Sequence, residues 1–194
     1  QKDFIKKHIP NSIFIGLNGS FAPWVGSIIG DTNKKIILIT PRGKENEAVT
    51  RLSRVGFDNC LGYLKGGVEN WEKDGNSVSS LETIKSKNFI DILKLNKINI
   101  LDVRKESEFS TKHIEGATNI PLRLLRSRLK EVKVNKDLYV HCAGGYRSVI
   151  AISILRKKGY SGMINITEGF NEILKSNLNE NCYNSSLEAS CNNI

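Results

Sequence analysis

Residues 138–158, LYVHCAGGYRSVIAISILRKK, decide the fold of this chain. The first few are apolar and partly aromatic or β-branched, which predicts a short buried strand. The segment CAGGYR that follows predicts a tight loop, because it contains two glycines. From Ser148 onward apolar residues recur at helical spacing, and two lysines and Gly159 end the predicted helix. Cys142 therefore lies where a strand ends and a helix is about to begin.

The position of Cys142 indicates a reactive thiol. A helix N-terminus offers unpaired N–H groups and the positive end of a dipole, so we expect an accessible, stabilised thiolate that acts as a nucleophile. Gly144 and Gly145 let the backbone curl around the sulfur, and the curled amides would form an anion-binding nest. Arg147 adds a planar cation suited to an oxyanion. His141 precedes the cysteine in the strand and points to the opposite face, so we do not predict a catalytic base there.

Two motifs in the chain resemble the signatures of the rhodanese-like sulfurtransferases. One is the loop CAGGYR with its flanking strand and helix. The other is residues 100–121, ILDVRKESEFSTKHIEGATNIP, which resembles a strand ending in Asp-Val-Arg and a later segment His-Ile-x-Gly-Ala-x-Asn-Ile-Pro. The family usually has glycine at the position of Lys112. Two motifs together are far more specific than a lone cysteine near a glycine pair.

The resemblance implies an enzyme that moves a sulfane sulfur through a persulfide on Cys142. Thiosulfate or a related donor would supply the sulfur, and a thiophilic acceptor such as cyanide or a thiol would collect it. No cofactor is implied. The donor would bind to the residues of the loop, which are Ala143, Gly144, Gly145, Tyr146, Arg147 and Ser148. Their amides would stabilise the terminal sulfur, Arg147 would orient the donor and Ser148 would start the helix. Asp102 and Arg104, at the end of a neighbouring strand, would hold the loop rather than react.

The chain contains an internal repeat of one α/β unit. Residues 8–15, HIPNSIFI, echo residues 113–120, HIEGATNI. Where the second copy has HCAGGYR, the first has ITPRGKE, so that Thr40 or Pro41 stands near the cysteine position. A hydroxyl cannot replace a thiolate in sulfur transfer. The first copy is therefore predicted to be catalytically silent.

The predicted fold class is α/β, with two rhodanese-like domains. Each would be a mostly parallel sheet with helices on both faces, and the first would be truncated at its N-terminus. The predicted limits are 1–74 for the silent domain, 75–80 for a linker, 81–178 for the active domain and 179–194 for a polar tail. Residues 122–129, LRLLRSRL, are predicted to form an amphipathic helix with arginines on its polar face. Ligands of such sheets bind beyond the carboxyl ends of the strands, where Cys142 falls.

The composition indicates a globular protein without a membrane span, and we expect it in the cytoplasm. The formal net charge is +9. Because no basic stripe contains interleaved aromatics, this charge favours a solvated surface or attraction of sulfur anions over nucleic-acid binding. The three histidines lack metal-ligand spacing, so no metal site is predicted. Cys182 and Cys191 lie in the tail, where they would be inert or would resolve an oxidised Cys142.

Two alternatives remain open. Phosphatases and arsenate reductases use a thiolate in a similar nest with a Cys-x5-Arg loop, but Arg147 stands five positions after Cys142 rather than six. A non-enzymatic module would only carry sulfur to a partner. The segment GSFAPWVG, residues 19–26, together with the silent domain, resembles the C-terminal part of metallo-β-lactamase-fold/rhodanese fusion proteins that process persulfides. This resemblance implies an upstream metal-binding domain in the native chain.

Overall fold

The computed structural model describes residues 1–134, 137–175 and 183–184. Most of the predicted tail, with Cys182 and Cys191, lies outside the described residues. No helix in the described part of the chain is both long and apolar enough to cross a membrane. The same residues contain no group of three or more His, Cys, Asp and Glu side chains that could hold a metal ion.

The chain divides into two compact units, Gln1–Ser80 and Leu81–Ile194. Each unit contains helices and a parallel sheet, which confirms the predicted α/β fold class. Within the predicted linker, Ser79 forms an antiparallel bridge with His8 and so belongs to the first unit.

The first unit has four helices and a two-stranded parallel sheet. Its elements are α1 (Lys2–Lys6), α2 (Phe21–Ile29), β1 (Ile36–Leu38), α3 (Glu45–Ser53), β2 (Cys60–Tyr63) and α4 (Gly67–Lys73). Side chains alternate along β1, as in any strand. Ile36 and Leu38 pack on a core made by α2 and α3, whereas Ile37 between them is 68% exposed.

The second unit is built on a five-stranded parallel sheet in the order β3-β8-β7-β4-β6. Its strands are β3 (Glu82–Ile84), β4 (Asn99–Asp102), β5 (His113–Ile114), β6 (Thr118–Asn119), β7 (Leu138–His141), β8 (Met163–Ile166) and β9 (Tyr183–Asn184). Its helices are α5 (Ser86–Leu95), α6 (Glu106–Thr111), α7 (Tyr146–Lys157) and α8 (Gly169–Lys175). Outside this sheet, β5 pairs antiparallel with β9.

Two kinds of helix cover the second sheet. α5 and α8 present one apolar side each to a core that includes Phe89, Tyr139, Ile166 and Phe170. α7 packs on β7 and β8 and is buried on every side from Ser148 to Leu155. A helix that is apolar all round is typical of such an interior position. The strand before this helix and the cysteine between them are thereby fixed at the centre of the unit.

The prediction of one amphipathic helix over residues 122–129 is wrong. The segment instead forms two 3-10 turns, Leu122–Leu124 and Leu129–Glu131, separated by irregular backbone. Only Leu122 and Leu125 are buried among residues 122–131, and one tight turn is enough to bring two residues at this spacing to the core. The second turn is held separately, because the hydroxyl of Tyr160 donates to the Leu129 carbonyl at 2.9 Å.

Candidate active site

Cys142 follows the central strand of the second sheet. β7 runs parallel to β8 on one side and β4 on the other, so Cys142 lies at the carboxyl edge of the three strands. The expectation of an accessible thiol is wrong for this structure, because only 1% of Cys142 is exposed. Cys142 directly follows the last residue of β7, and the residues around it are packed closely. A reaction at the sulfur therefore requires a narrow reagent or a local movement of the loop.

The first residues of α8 hold the backbone of the cysteine loop. The N–H groups of Phe170 and Asn171 donate to the carbonyls of Cys142 and Ala143 at 2.8 and 3.0 Å. A Cβ atom on Gly169 would lie 2.5 Å from the Cys142 carbonyl oxygen, so this contact requires glycine. This role of Gly169 was not predicted from the sequence. The only signal was a glycine directly before an apolar helix.

The two glycines of the loop differ in their importance. Gly145 has a φ of +83°, and a Cβ atom there would lie 1.8 Å from the carbonyl oxygen of Thr167. Both observations require glycine at this position. A Cβ atom on Gly144 would meet nothing within 4 Å, and this residue is exposed. The tight turn thus depends on Gly145, although the sequence predicted the same role for both glycines.

The helix after the loop begins earlier than predicted. α7 starts at Tyr146 with Gly145 as its N-cap, so Ser148 does not start the helix but lies buried in its first turn. The Ser148 hydroxyl donates to the Gly145 carbonyl at 3.0 Å, and the Cys142 thiol donates to this hydroxyl at 3.9 Å. The first turn of α7 carries no acidic residue that would offset the positive end of the helix dipole.

The guanidinium of Arg147 forms a two-point ion pair with Glu108 of α6. Its Nη1 and Nη2 groups donate to the carboxylate oxygens at 2.7 and 2.8 Å. This hydrogen bonding lowers the pKa of Glu108 to about 2. The pKa of Arg147 is raised, first by its hydrogen bonds to Glu108 and to a smaller extent by the charge of Cys142. From the sequence, Arg147 was assigned to the donor alone and Glu108 was not singled out, although the motif places this acid directly before Phe109.

Asp102 and Arg104 form a buried ion pair at the end of β4. Nε and Nη2 of Arg104 donate to the Asp102 carboxylate at 2.8 and 2.6 Å, and both side chains are at most 5% exposed. Arg104 also donates to the Lys112 carbonyl at 2.9 Å, and its guanidinium carbon lies 3.8 Å from the centre of the Phe170 ring. Since the Phe170 N–H binds the Cys142 carbonyl, the ion pair is linked to the cysteine loop through α8.

His141 is fully buried next to the cysteine. Burial lowers its pKa, and the nearby charge of Asp102 offsets part of this effect. Nε2 lies 3.7 Å from Asp102, which is too far for a hydrogen bond, and Nδ1 lies 3.4 Å from the Cys142 carbonyl. The ring therefore contacts the strand backbone and the buried carboxylate, where a neutral imidazole is favoured.

The loop of the first unit also contains a glycine with a left-handed φ, but its side chains differ. Thr40 follows β1, and its hydroxyl is buried with no hydrogen-bond partner in the part of the chain that the structure describes. Gly43 has a φ of +81°, but a Cβ atom there would meet nothing within 4 Å. The next helix, α3, begins with Glu45 and carries a second acid, Glu47, in its first turn. The loop therefore has no thiol, and its helix start has two acids, of which Glu47 pairs with Lys44 and Arg51.

Comparison with known proteins identifies the family of this chain. The model of the rhodanese-like domain family matches residues 1–74 and 86–176. The chain belongs to this family. Because the match includes residues of both units, the rhodanese-like assignment extends to the first unit, which lacks a cysteine in its loop.

Several curated proteins resemble this rhodanese-like chain. It is 33% identical to "Putative sulfur carrier protein YrkF" of Bacillus subtilis over 112 residues, which is 57% of this chain and 58% of that protein. It is 29% identical over 70 residues to a sulfurtransferase of Allochromatium vinosum, covering 36% of this chain and 65% of that protein. It is 33% identical over 67 residues to the thiosulfate sulfurtransferase PspE of Escherichia coli, covering 34% and 64%. The chain thus spans between 58% and 65% of the length of these relatives.

Proposed function

We propose that the chain is a sulfurtransferase that carries a sulfane sulfur as a persulfide on Cys142. The observation that carries the proposal is the position of this thiol. It lies at the carboxyl edge of a central parallel strand, four residues before α7 begins, in a turn that requires Gly145. Positive helix ends favour thiolates and persulfide anions. The similarity to proteins named as sulfurtransferases points to the same chemistry.

The proposed first step transfers one sulfur atom without a redox cofactor. The Cys142 thiolate attacks the outer sulfur of thiosulfate or a related donor. The S–S bond of the donor breaks, and sulfite leaves with the electron pair. Cys142 then carries a persulfide anion, which passes its outer sulfur to cyanide or a thiol and regenerates the thiolate. The partners in this proposal are small sulfur-containing anions and thiols.

The residues around the cysteine have separate roles in the proposal. Amides from Ala143 to Arg147 would stabilise the terminal sulfur of the persulfide as preorganised donors. Gly144 is exposed, and Ala143, Tyr146 and Arg147 are half-buried, so a donor would approach over these residues. Because the thiol itself is almost fully buried, a donor that offers a single sulfur atom fits better than a tetrahedral phosphate.

The buried pair of Asp102 and Arg104 would act on the loop through α8 and would not touch the donor. Arg104 stacks on Phe170, whose N–H holds the carbonyl of Cys142. Loss of this support would change the position of the sulfur rather than remove a reacting group.

One observation favours a second candidate, a sulfur carrier that delivers its persulfide to a protein partner. This observation is the similarity to YrkF, whose name describes a sulfur carrier. An upstream metallo-β-lactamase-fold domain would be a natural partner of this kind, and we propose a cytoplasmic location for either activity. Phosphatase or arsenate-reductase chemistry is less favoured, because both terminal nitrogens of Arg147 are bound to Glu108.

The test is the intact mass of the protein after incubation with thiosulfate. The wild type should gain about 32 Da, one sulfur atom, and cyanide should remove it. Cys142→Ser should gain nothing although Cys60, Cys182 and Cys191 remain, and Cys60→Ser should behave like the wild type. A carrier would form the same adduct but would release it slowly to cyanide. No adduct, together with turnover of an aryl phosphate, would contradict the proposal.

A further inference from the structure

The ion pair between Arg147 and Glu108 places a negative charge as well as a positive one near the cysteine loop. Glu108 binds both terminal nitrogens of Arg147, and its carboxylate also accepts the N–H of Lys105 at 3.0 Å. Glu108 is therefore held from two sides. The side chains of Arg147 and Glu108 are only 17% and 33% exposed, so water screens their charges incompletely.

Glu108 stays ionised at any pH at which the protein would work, since Arg147 lowers its pKa to about 2. Arg147 lies in the first turn of α7, directly after the loop that contains Cys142, and its pKa is raised first by Glu108 and to a smaller extent by Cys142. A sulfur donor that approaches Arg147 therefore also meets the carboxylate. The repulsion between a carboxylate and a donor grows in proportion to the charge of the donor.

We propose that Glu108 determines the charge of the donor that this site accepts, an inference that rests on the proposed sulfurtransferase function. Because Glu108 offsets the charge of Arg147, the ion pair selects sulfane donors with a single negative charge, such as organic persulfides and thiosulfonates. Inorganic dianions such as thiosulfate are disfavoured. Glu108 is a positioning and specificity-determining residue, because it acts through Arg147 and does not touch the sulfur.

The chemistry at Cys142 is the same for both classes of donor. With a thiosulfonate, the thiolate attacks the outer sulfur, the S–S bond of the donor breaks, and a sulfinate leaves with the electron pair. With thiosulfate, sulfite leaves in the same way. Total charge is conserved in both reactions, so the two donors differ in the charge they bring to the ion pair rather than in the bond that is broken.

The test compares two sulfur donors, the dianion thiosulfate and the monoanion methanethiosulfonate. Cyanide is the acceptor in both assays. The wild type should show the higher kcat/KM with methanethiosulfonate. Glu108→Gln should raise kcat/KM for thiosulfate relative to methanethiosulfonate by roughly tenfold, and high salt should reduce this difference. A glutamine keeps an acceptor for the Lys105 N–H and for Arg147, so the helix start and the guanidinium are retained.

Glu106→Gln is the matched control. Glu106 lies on the same helix and carries the same charge, but it pairs with Arg123 at 3.0 and 2.9 Å instead of Arg147. This variant should leave the ratio of the two donors unchanged. A merely structural role of Glu108 would lower both rates together and leave their ratio unchanged as well.

The outcomes separate this inference from the proposed function. Turnover of both donors with an unchanged ratio in Glu108→Gln, or an equal change of the ratio in Glu106→Gln, overturns the role of Glu108 alone. The absence of any persulfide on the wild type with either donor overturns the proposed function and this inference with it. A ratio that shifts only in Glu108→Gln supports both.

Discussion

The loops after β1 and β7 each contain a glycine with a left-handed φ, but in two different surroundings. Gly43 and Gly145 have nearly equal φ angles, +81° and +83°. A Cβ atom on Gly43 would meet open space, whereas one on Gly145 would collide with the Thr167 carbonyl. A left-handed glycine alone therefore does not fix the backbone of the loop. The difference is the packing of the second loop against the start of α8, which fixes the backbone around Cys142.

The two loops also differ in the charged residues at the start of the helix that follows each of them. α3 begins with Glu45 and has Glu47 in its first turn, whereas the first turn of α7 has no acid and contains Arg147. Acids at a helix start stabilise the helix but repel a nearby anion. The first helix start therefore favours its own stability, and the second leaves its positive end available to the sulfur of Cys142.

The largest expected effect separates the two glycines. Gly145→Ala should lower the free energy of unfolding of the second unit by about 4 kcal/mol, because a left-handed φ and a backbone collision both oppose the new methyl group. Gly43→Ala should cost only about 1 kcal/mol, for the strained φ alone. Hydrogen exchange of peptides from β7 and β1 measures each unit separately. Equal losses at the two positions would contradict the importance of the packed surroundings.

Removal of an arginine should also affect the two units unequally. Arg104→Met leaves the Asp102 carboxylate buried without its cation, so we expect a loss of about 3 kcal/mol in the free energy of unfolding. Arg51 of the first unit pairs with Glu47, but the two side chains are 36% and 33% exposed. Arg51→Met should therefore cost less than about 1 kcal/mol. Urea unfolding followed by circular dichroism checks both values, and a mild effect at Arg104 would show that Asp102 is well solvated without its partner.

The sequence predicted the fold through local patterns that survive in the structure. The strand before Cys142 and the apolar helix after it were both correct, because β-branched and apolar runs at the centre of a parallel sheet leave little ambiguity. The segment 122–129 was wrong because arginine and leucine alternate there in a way that mimics a helix face. Only two of its residues reach the core, and this depends on contacts that periodicity does not encode.

Partners across the sheet were the main feature that the sequence did not reveal. Glu108 and Arg147 are 39 positions apart, and the collision that makes Gly145 necessary comes from Thr167. The close packing of the loop around Cys142 has the same origin, because Gly169 and Phe170 of α8 contact the Cys142 carbonyl. Motifs locate the proposed reacting residue, Cys142, but they do not show which distant side chain pairs with Arg147.

Low pH should reduce the free energy of unfolding by less than the substitutions above do, and this reduction should depend on Glu108. Its pKa in the folded protein is about 2, below the ordinary value of 4.5. The ion pair with Arg147 therefore contributes its full stability above about pH 4.5, and this contribution is lost as the pH falls from there toward 2. Because the carboxylate is one-third exposed, we expect about 1 kcal/mol. Between pH 6 and 3, Glu108→Gln should lose less unfolding free energy than the wild type or Glu106→Gln. An unchanged pH dependence would contradict this role.

The smallest effect is expected from a new thiol in the first loop. Thr40→Cys in a Cys142→Ser background should gain no sulfur from thiosulfate, although the turn at Gly43 is retained. Pro41 offers no N–H where the second loop has one, and Glu45 places a carboxylate at the helix start. The intact mass after incubation with thiosulfate checks the result, and alkylation by iodoacetamide shows whether the new thiol is accessible. A persulfide at position 40 would mean that a thiol in this turn is sufficient, and that the helix charge and the missing amide matter little.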